Sequence, residues 1–366
     1  MNTFNAYFKR HFLTSWILPV VVSVIGILIL IITCNAEFVG WEDLNTEKLR
    51  TKSLLSIVTI FATVIATLLP IFEFSPFNNK KNLDTLFSLP IDKTKLLIAH
   101  YLNGALQLVI SITAVYTVWL VFWVLSPYTE LHTGHSLLAY PYIIAGAMIL
   151  YTIYSAVFLQ ANTTVDGCVF MLLYTFVFFM ITGTMYYGIF LNRDSIFYNY
   201  HHEFLNFTER TQFLAILGRI SYGFDRVITP ITYLDTVNGI KTWIYEYHHN
   251  TPSQVFEPYM CIYIFYIILA VAGVVITLKT YKKTRPINVE EISDSWLGYK
   301  ILGPIYSICG VLILNTEDLF SFPVSLIVLI IMFLGYMLYR RGAKFKIPDI
   351  VVMSITTIMA IFGVTI

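Results

Sequence analysis

Ser15-Trp16-Ile17-Leu18-Pro19-Val20-Val21-Val22-Ser23-Val24-Ile25-Gly26-Ile27-Leu28-Ile29-Leu30-Ile31-Ile32-Thr33-Cys34 runs for twenty residues without a charged side chain. A helix of that length rises about 30 Å, which crosses the hydrocarbon core of a bilayer while satisfying its own backbone hydrogen bonds. Eight more such stretches can be read along the 366 residues, at roughly 54–74, 96–125, 137–159, 165–191, 259–279, 299–314, 320–339 and 348–366. The chain is 57% hydrophobic and only 12% charged, and the charges collect in the gaps, with none near the middle of a run. The expected fold is therefore an all-α polytopic membrane protein of nine spans. Any catalytic or energetic equipment has to sit at the membrane surfaces or on another chain.

The basic residues orient it. With the N-terminus inside, fifteen Lys and Arg fall inside and eight outside, five of the eight in the single long loop between the fifth and sixth spans. Long loops are discounted in such counting, so the contrast is fifteen against three. Glu37, Glu42, Asp43, Glu47, Glu317 and Asp318 lean the other way, into short outer loops. The formal net charge of +1 thus hides two surfaces of opposite sign, and no nucleic-acid footprint is present. Thr33-Cys34-Asn35 lacks a small-x-small cleavage pattern, so the first run reads as a span and not as a cleaved leader. Trp16, Trp41, Trp123, Tyr259, Tyr281 and Trp296 mark the boundaries as an aromatic belt. Cys34 and Cys261 both fall near the outer face, but nothing in their spacing argues that they pair.

Residues 1–14 read as an amphipathic interfacial helix. Phe4, Tyr7, Phe8, His11 and Phe12 recur at helical spacing, and Asn5, Lys9 and Arg10 face away. Such a helix is a membrane anchor or an elbow that transmits motion.

Between the second and third spans lies Ser75-Pro76-Phe77-Asn78-Asn79-Lys80-Lys81-Asn82-Leu83-Asp84-Thr85-Leu86-Phe87-Ser88-Leu89-Pro90-Ile91-Asp92-Lys93-Thr94-Lys95. Pro76 stops the incoming span, Asn78 or Asn79 caps a new helix, and Pro90 ends it. Leu83, Leu86 and Phe87 share one face of this short helix over 78–90, with Leu89 and Ile91 beyond. Burying each large apolar side chain is worth about 1.5–3 kcal/mol, so three of them on a surface loop call for a partner. Headgroups, the bundle itself or a groove on a cytosolic motor would each serve.

The run Leu83-Asp84-Thr85-Leu86-Phe87-Ser88-Leu89-Pro90-Ile91-Asp92-Lys93-Thr94-Lys95 resembles the segment that precedes the third span in bacterial ABC-2-type transporter permeases. The resemblance implies a six-span core over residues 15–280 with its N-terminus inside. It also implies an ATPase-coupling helix over 78–90, carrying Leu83, Asp84, Leu86, Phe87, Leu89 and Pro90. A further implied feature is an extracellular segment over 192–258 that partly re-enters the membrane, in which Thr229-Pro230-Ile231-Thr232-Tyr233-Leu234 is similar to the family's Ser-Pro-x-x-Tyr-Leu pattern. A cytosolic connector over 281–298 contains Arg285, Glu290 and Glu291, and looks like that of permeases of the acetoin-utilisation or cell-envelope-stress type. The three additional spans over 299–366 exceed the family core. On this resemblance the partners are cytosolic ABC ATPase subunits that carry the ATP and Mg, and a second permease, identical or related. The location is a bacterial cytoplasmic membrane, and the activity is export or extraction of a hydrophobic peptide or lipid-like molecule.

The sequence agrees in what it omits. No Gly-x-x-x-x-Gly-Lys-Ser/Thr loop occurs, so ATP hydrolysis is expected on a partner chain and no cofactor on this one. No His-Glu-x-x-His, Gly-x-Ser-x-Gly or EF-hand loop occurs either, and the chain is expected not to be an enzyme. Asn103 and Gln107, at i and i+4 with His100 a turn earlier, mark either interhelical hydrogen bonds or a substrate path. Asp166 reads as a helix-start carboxylate favoured by the dipole. His132, His135, His201, His202, His248 and His249 are predicted outside, and since neighbouring histidines point apart in regular structure, no metal site is expected there. Two other classes stay open. One is an ion-coupled carrier, disfavoured by the absence of charge at membrane depth and of an internal repeat. The other is a membrane-embedded glycosyltransferase using Glu42 and Asp43, disfavoured by the shortness of the loop that carries them.

Overall fold

The computed structural model describes residues 3–42, 55–125, 133–185, 215–228, 231–237, 240–246, 260–283, 289–316 except 292, 294 and 296, 322–340, 342 and 345–362. Twelve helices and one hairpin are formed by these residues: α1 Thr3–Ser15, α2 Ile17–Glu42, α3 Leu55–Phe74, α4 Lys80–Phe87, α5 Lys93–Leu125, α6 Thr133–Phe158, α7 Thr164–Met185, α8 Ala215–Ile228, β1 Ile231–Val237, β2 Ile240–Glu246, α9 Met260–Lys283, α10 Tyr299–Thr316, α11 Phe322–Arg340 and α12 Ile347–Phe362. A 3-10 turn, Ser75–Asn78, leads from α3 towards α4. Among the described residues, four helical stretches are long and apolar enough to cross a membrane: Leu55–Asn78, Lys93–Phe122, Ser136–Phe158 and Thr164–Thr184. α1 and α2, bent by 41°, make a fifth if taken together. The shorter apolar helices Tyr263–Lys279, Tyr299–Leu312 and Ile347–Met359 fall on the expected sixth, seventh and ninth spans. α2 presents Val20, Val21, Val24 and Leu28 outward. Lipid suits such a surface and water does not, so the chain is a helical membrane-embedded protein.

Two compact units share the chain. One comprises Met1–Pro76, Asp84–Ala156 and Leu214–Lys283; the other comprises Phe77–Leu83, Val157–Phe213 and Thr284–Ile366.

In the first unit α5 is the central post, packed by α1, α2, α3 and α9, while α8 lies on α3. The bend between α1 and α2 has a local cause. Pro19 has no N–H for the Ser15 carbonyl one turn earlier, and its ring crowds that carbonyl, so the helix breaks at Trp16. The Pro19 carbonyl instead accepts hydrogen bonds from Ser23 Oγ at 2.6 Å and Ser111 Oγ at 3.4 Å, the second fastening α2 to α5. α5 and α6 are joined by hydroxyls: Tyr101 to Thr152 and Thr113 to Tyr140, each at 2.6 Å, and the Tyr116 hydroxyl to the Ser136 carbonyl. At Gly104 the backbone of α5 passes so close to Tyr151 that a Cβ there would overlap the phenol.

The outer segment differs from expectation. Residues 192–214 and 247–258 lie outside the described set, and α8 buries Ile216, Leu217, Ile220 and Phe224. Residues 231–246 form no re-entrant helix. They make an antiparallel hairpin with Ile231 opposite Glu246 and Val237 opposite Ile240. The Tyr233-Leu234 pair that suggested the family pattern therefore lies in a strand. Asn238-Gly239 between two runs of β-branched and aromatic residues is a strong short-range hairpin signal, and it outweighs the apolar content that read as re-entrant.

The second unit is built on α7 and α10, with α12 against α10 and α11 against both α10 and α12. Phe170, Val177 and Leu302 form its core with Ala161. Tyr174 donates to the Leu297 carbonyl at 2.7 Å, so the connector ahead of α10 is stapled to α7. Asp166 does more than sit at a helix start: its carboxylate accepts from Ser293 N at 3.0 Å and from the Tyr299 hydroxyl at 2.8 Å. Thr163 supplies the cap, its hydroxyl accepting from Asp166 N at 3.0 Å.

Candidate functional site

α4 forms where the sequence places it. Asn79 is its cap, accepting from Asn82 N through Oδ1 at 3.3 Å while its carbonyl accepts from Leu83 N at 2.9 Å. A second acceptor comes from far along the chain: Glu290 Oε1 takes the Lys80 N–H at 3.0 Å, a carboxylate at the positive end of a helix. Glu290 holds a left-handed backbone, φ 71°, which costs a non-glycine residue about 1–2 kcal/mol. Its own N–H donates to the Asn162 carbonyl at 3.1 Å. Those two bonds fix the acidic connector residue against the start of α4. Leu83 is turned inward and only 2% exposed, so the apolar face that α4 leaves available is Leu86 and Phe87, with Leu89 just beyond, all half-buried. Asp84 and Pro90 are exposed, and Lys93 Nζ sits 4.3 Å from the Phe87 ring centroid. The other expected coupling residues thus stand on the surface, and Leu83 serves as their internal anchor.

Asn103 and Gln107 are brought to a feature the sequence reading overlooked. Both are fully buried, and their amide nitrogens donate to Glu73 Oε1 at 2.7 and 2.9 Å and to Ser15 Oγ at 3.0 and 2.9 Å. The other carboxylate oxygen, Glu73 Oε2, faces His11 Nε2 at 3.1 Å and His100 Nδ1 at 3.4 Å. His100 Nδ1 also reaches the Glu73 carbonyl at 3.1 Å, so this nitrogen bears the proton, and Nε2 accepts from the Tyr7 hydroxyl at 2.9 Å. Glu73 and His100 are 4% and 2% exposed. Glu73 lies at the end of the second run, away from its middle, and is a buried ionisable group that the sequence reading did not single out. Position explains how it is tolerated. As the penultimate residue of α3 it sits at the negative end of a helix, which disfavours a carboxylate, and four side-chain donors from α1 and α5 compensate. Helix α1 is docked on the bundle by the same group through Tyr7, His11 and Ser15.

Asn103 and Gln107 are buried hydrogen-bond donors that link α5 to α1 and α3. His100 is the eighth residue of the 33-residue α5, about 10 Å from the start of a helix about 50 Å long. Glu73 and His100 therefore sit towards one end of α3 and of α5, while Asn103 and Gln107 carry the cluster on to the fifteenth residue of α5. In the second unit a cavity of about 620 Å³ is lined by Asp166, Tyr299, Tyr306, Tyr336, Tyr339 and Gly335 among others. His132, His201, His202, His248 and His249 lie outside the described residues, as do residues 43–54, Asp43 among them. His135 and Glu42 are placed by backbone alone. Comparison with protein-family models, with curated proteins and with solved structures found no match for this chain.

Proposed function

We propose that this chain is the membrane-spanning subunit of an ATP-driven ABC transporter, and that it exports or extracts a hydrophobic peptide or lipid-like molecule. A separate cytosolic ATPase energises it, and it works beside a second permease in a bacterial cytoplasmic membrane. The observation that carries this reading is α4: a capped, proline-terminated helix of eight residues between two long apolar helices, anchored inward by Leu83 and offering Leu86 and Phe87 outward. Its sequence is the part of the chain that resembles a permease coupling helix. Mechanically, force on α4 reaches α3 and α5 through short turns. Glu73, held by His100, Asn103 and Gln107, makes the ends of α3 and α5 move together with α1. Transport is then a population shift between two arrangements of the bundle, biased by ATP-driven closure of the motors.

The buried Glu73 with its two histidines favours a second reading, a proton-coupled carrier, because an ionisable group inside a membrane bundle is a functional-site hypothesis by default. Position along the helices weighs against it. Carrier sites usually lie near the bilayer midplane, whereas the ionisable groups Glu73 and His100 lie at the end of α3 and about 10 Å from the start of α5.

Purification from the source organism in mild detergent separates the two readings. The transporter reading expects a co-purifying ATPase with a phosphate loop at one ATPase per permease, and ATP hydrolysis in the complex. A chain that purifies alone, and whose vesicles accumulate substrate on a pH gradient without ATP, supports the carrier and overturns the transporter.

A further inference from the structure

The geometry points to His11, Glu73 and His100 as a binding site for a divalent first-row transition ion of the zinc class, a property independent of what drives transport. The three side chains come from α1, α3 and α5, and one potential ligand atom from each lies within 4.8 Å of the other two. The spacing is the argument. In a tetrahedral zinc site with metal–ligand distances of about 2.0–2.1 Å, ligand atoms stand about 3.3–3.4 Å apart. Glu73 Oε2 is 3.1 Å from His11 Nε2 and 3.4 Å from His100 Nδ1, so two of the three ligand–ligand distances already match that spacing. Two imidazoles and one carboxylate are a donor set that zinc and its neighbours accept, and three protein ligands leave a fourth position for water.

The surroundings match what such a site needs around it. Ligating carboxylates and imidazoles are held by outer partners that fix their orientation. Glu73 Oε1 is held by the amides of Asn103 and Gln107 at 2.7 and 2.9 Å, which leaves Oε2 free to bind the ion. His100 keeps a single proton throughout. When Nδ1 binds the ion the proton resides on Nε2, where the Tyr7 oxygen, 2.9 Å away, turns from donor to acceptor. The charge also balances better. A carboxylate buried at the negative end of α3 is opposed by the helix dipole, and a dication relieves that more fully than hydrogen bonds from neutral groups. Bound, the ion would tie the interfacial helix α1 to the two helices that flank α4.

Metal content of the full-length protein in detergent tests this. The protein is stripped with chelator, dialysed against buffered Zn²⁺, and its zinc counted by mass spectrometry, with Co²⁺ visible absorption as a second readout of tetrahedral nitrogen and oxygen coordination. The expectation is one zinc per chain. It should be retained when the six outer histidines, His132, His135, His201, His202, His248 and His249, are all changed to Ala, and affinity should fall at least tenfold in Glu73→Gln and in His11→Ala. Glu73→Gln keeps the shape and an acceptor for the two amides. His11 has a side chain 22% exposed on a peripheral helix, so one variant stays folded if the other does not. No zinc above the level of Glu73→Gln overturns the site, and so does zinc that survives both inner variants and vanishes with the outer histidines.

Discussion

His11 Nε2 stands 3.1 Å from Glu73 Oε2 across 62 positions of sequence, a contact that joins α1 to the buried end of α3. Removing an acceptor from buried donors costs about 1–3 kcal/mol for each group left unsatisfied. Glu73→Ala should therefore destabilise the chain by at least that order, because Asn103, Gln107, His11 and His100 each lose the carboxylate as an acceptor together. Glu73→Gln keeps an acceptor and should cost about 1–2 kcal/mol. His11→Ala should fall between wild type and Glu73→Ala. Thermal denaturation in detergent ranks the three, and equal midpoints for wild type and Glu73→Ala would show that the cluster contributes nothing to stability.

The α5–α6 contact gives a second prediction. A Cβ at position 104 overlaps the Tyr151 hydroxyl, which donates to the Tyr101 carbonyl at 3.2 Å. Gly104→Val should force Tyr151 away, break that bond and destabilise by about 1–3 kcal/mol, the usual cost of overfilling a packed interior. The double variant Gly104→Val with Tyr151→Phe should recover part of the loss. Failure to recover any of it would place the strain elsewhere.

Much of this architecture is legible in the sequence, and the exceptions have specific causes. Apolar runs locate the helices, since length and hydropathy are properties of each segment alone. The caps of α4 are local as well: Asn79 and Pro90 lie within the segment they bound. Glu73 was missed because it lies at the end of its run, between Phe72 and Phe74 and just before Pro76, where a charge looks like the membrane boundary. Its burial depends on α1 folding back, which periodicity does not encode. A signal was nonetheless present. Asn103 and Gln107 on one face with His100 required an acceptor, and Glu73 is the acidic residue nearest to the same end of the neighbouring run. Leu83 shared a face with Leu86 and Phe87 by spacing, and only packing reveals that it turns inward.

At the far end of the chain, Arg340 forms a two-pronged pair with Asp349, Nε to Oδ2 at 2.7 Å and one terminal nitrogen to Oδ1 at 2.9 Å, joining α11 to α12. The two side chains are only 12% and 9% exposed. Lysine cannot reproduce the fork, so Arg340→Lys should lose about 1 kcal/mol and Arg340→Ala about 3 kcal/mol. Limited proteolysis between the two helices should report the loosening. Unchanged cleavage in Arg340→Ala would show that the pair is incidental.

Orientation is tested by labelling. In a chain whose own four cysteines are replaced, a membrane-impermeant reagent added outside should modify cysteine at position 42 or 206, and should fail at 82 or 344. Position 82 is exposed on α4, so protection there reports sidedness and not burial. The reverse pattern would invert the topology.

The central claim is that α4 engages a cytosolic ATPase through Leu86 and Phe87, and co-purification of that ATPase with Phe87→Asp tests it most directly. A carboxylate placed at the centre of an apolar contact loses the aromatic, worth at least about 2 kcal/mol at a well-packed interface, and adds an unpaired buried charge. Phe87 is half-buried at the end of an eight-residue helix, so the bundle should still insert and fold. Asp84→Asn, at the exposed rim, should slow association more than it weakens the complex. Phe87→Asp should elute as a folded membrane protein without its ATPase and without transport, while Asp84→Asn should retain both. A Phe87→Asp protein that carries its ATPase at normal stoichiometry, and still transports, would contradict the claim.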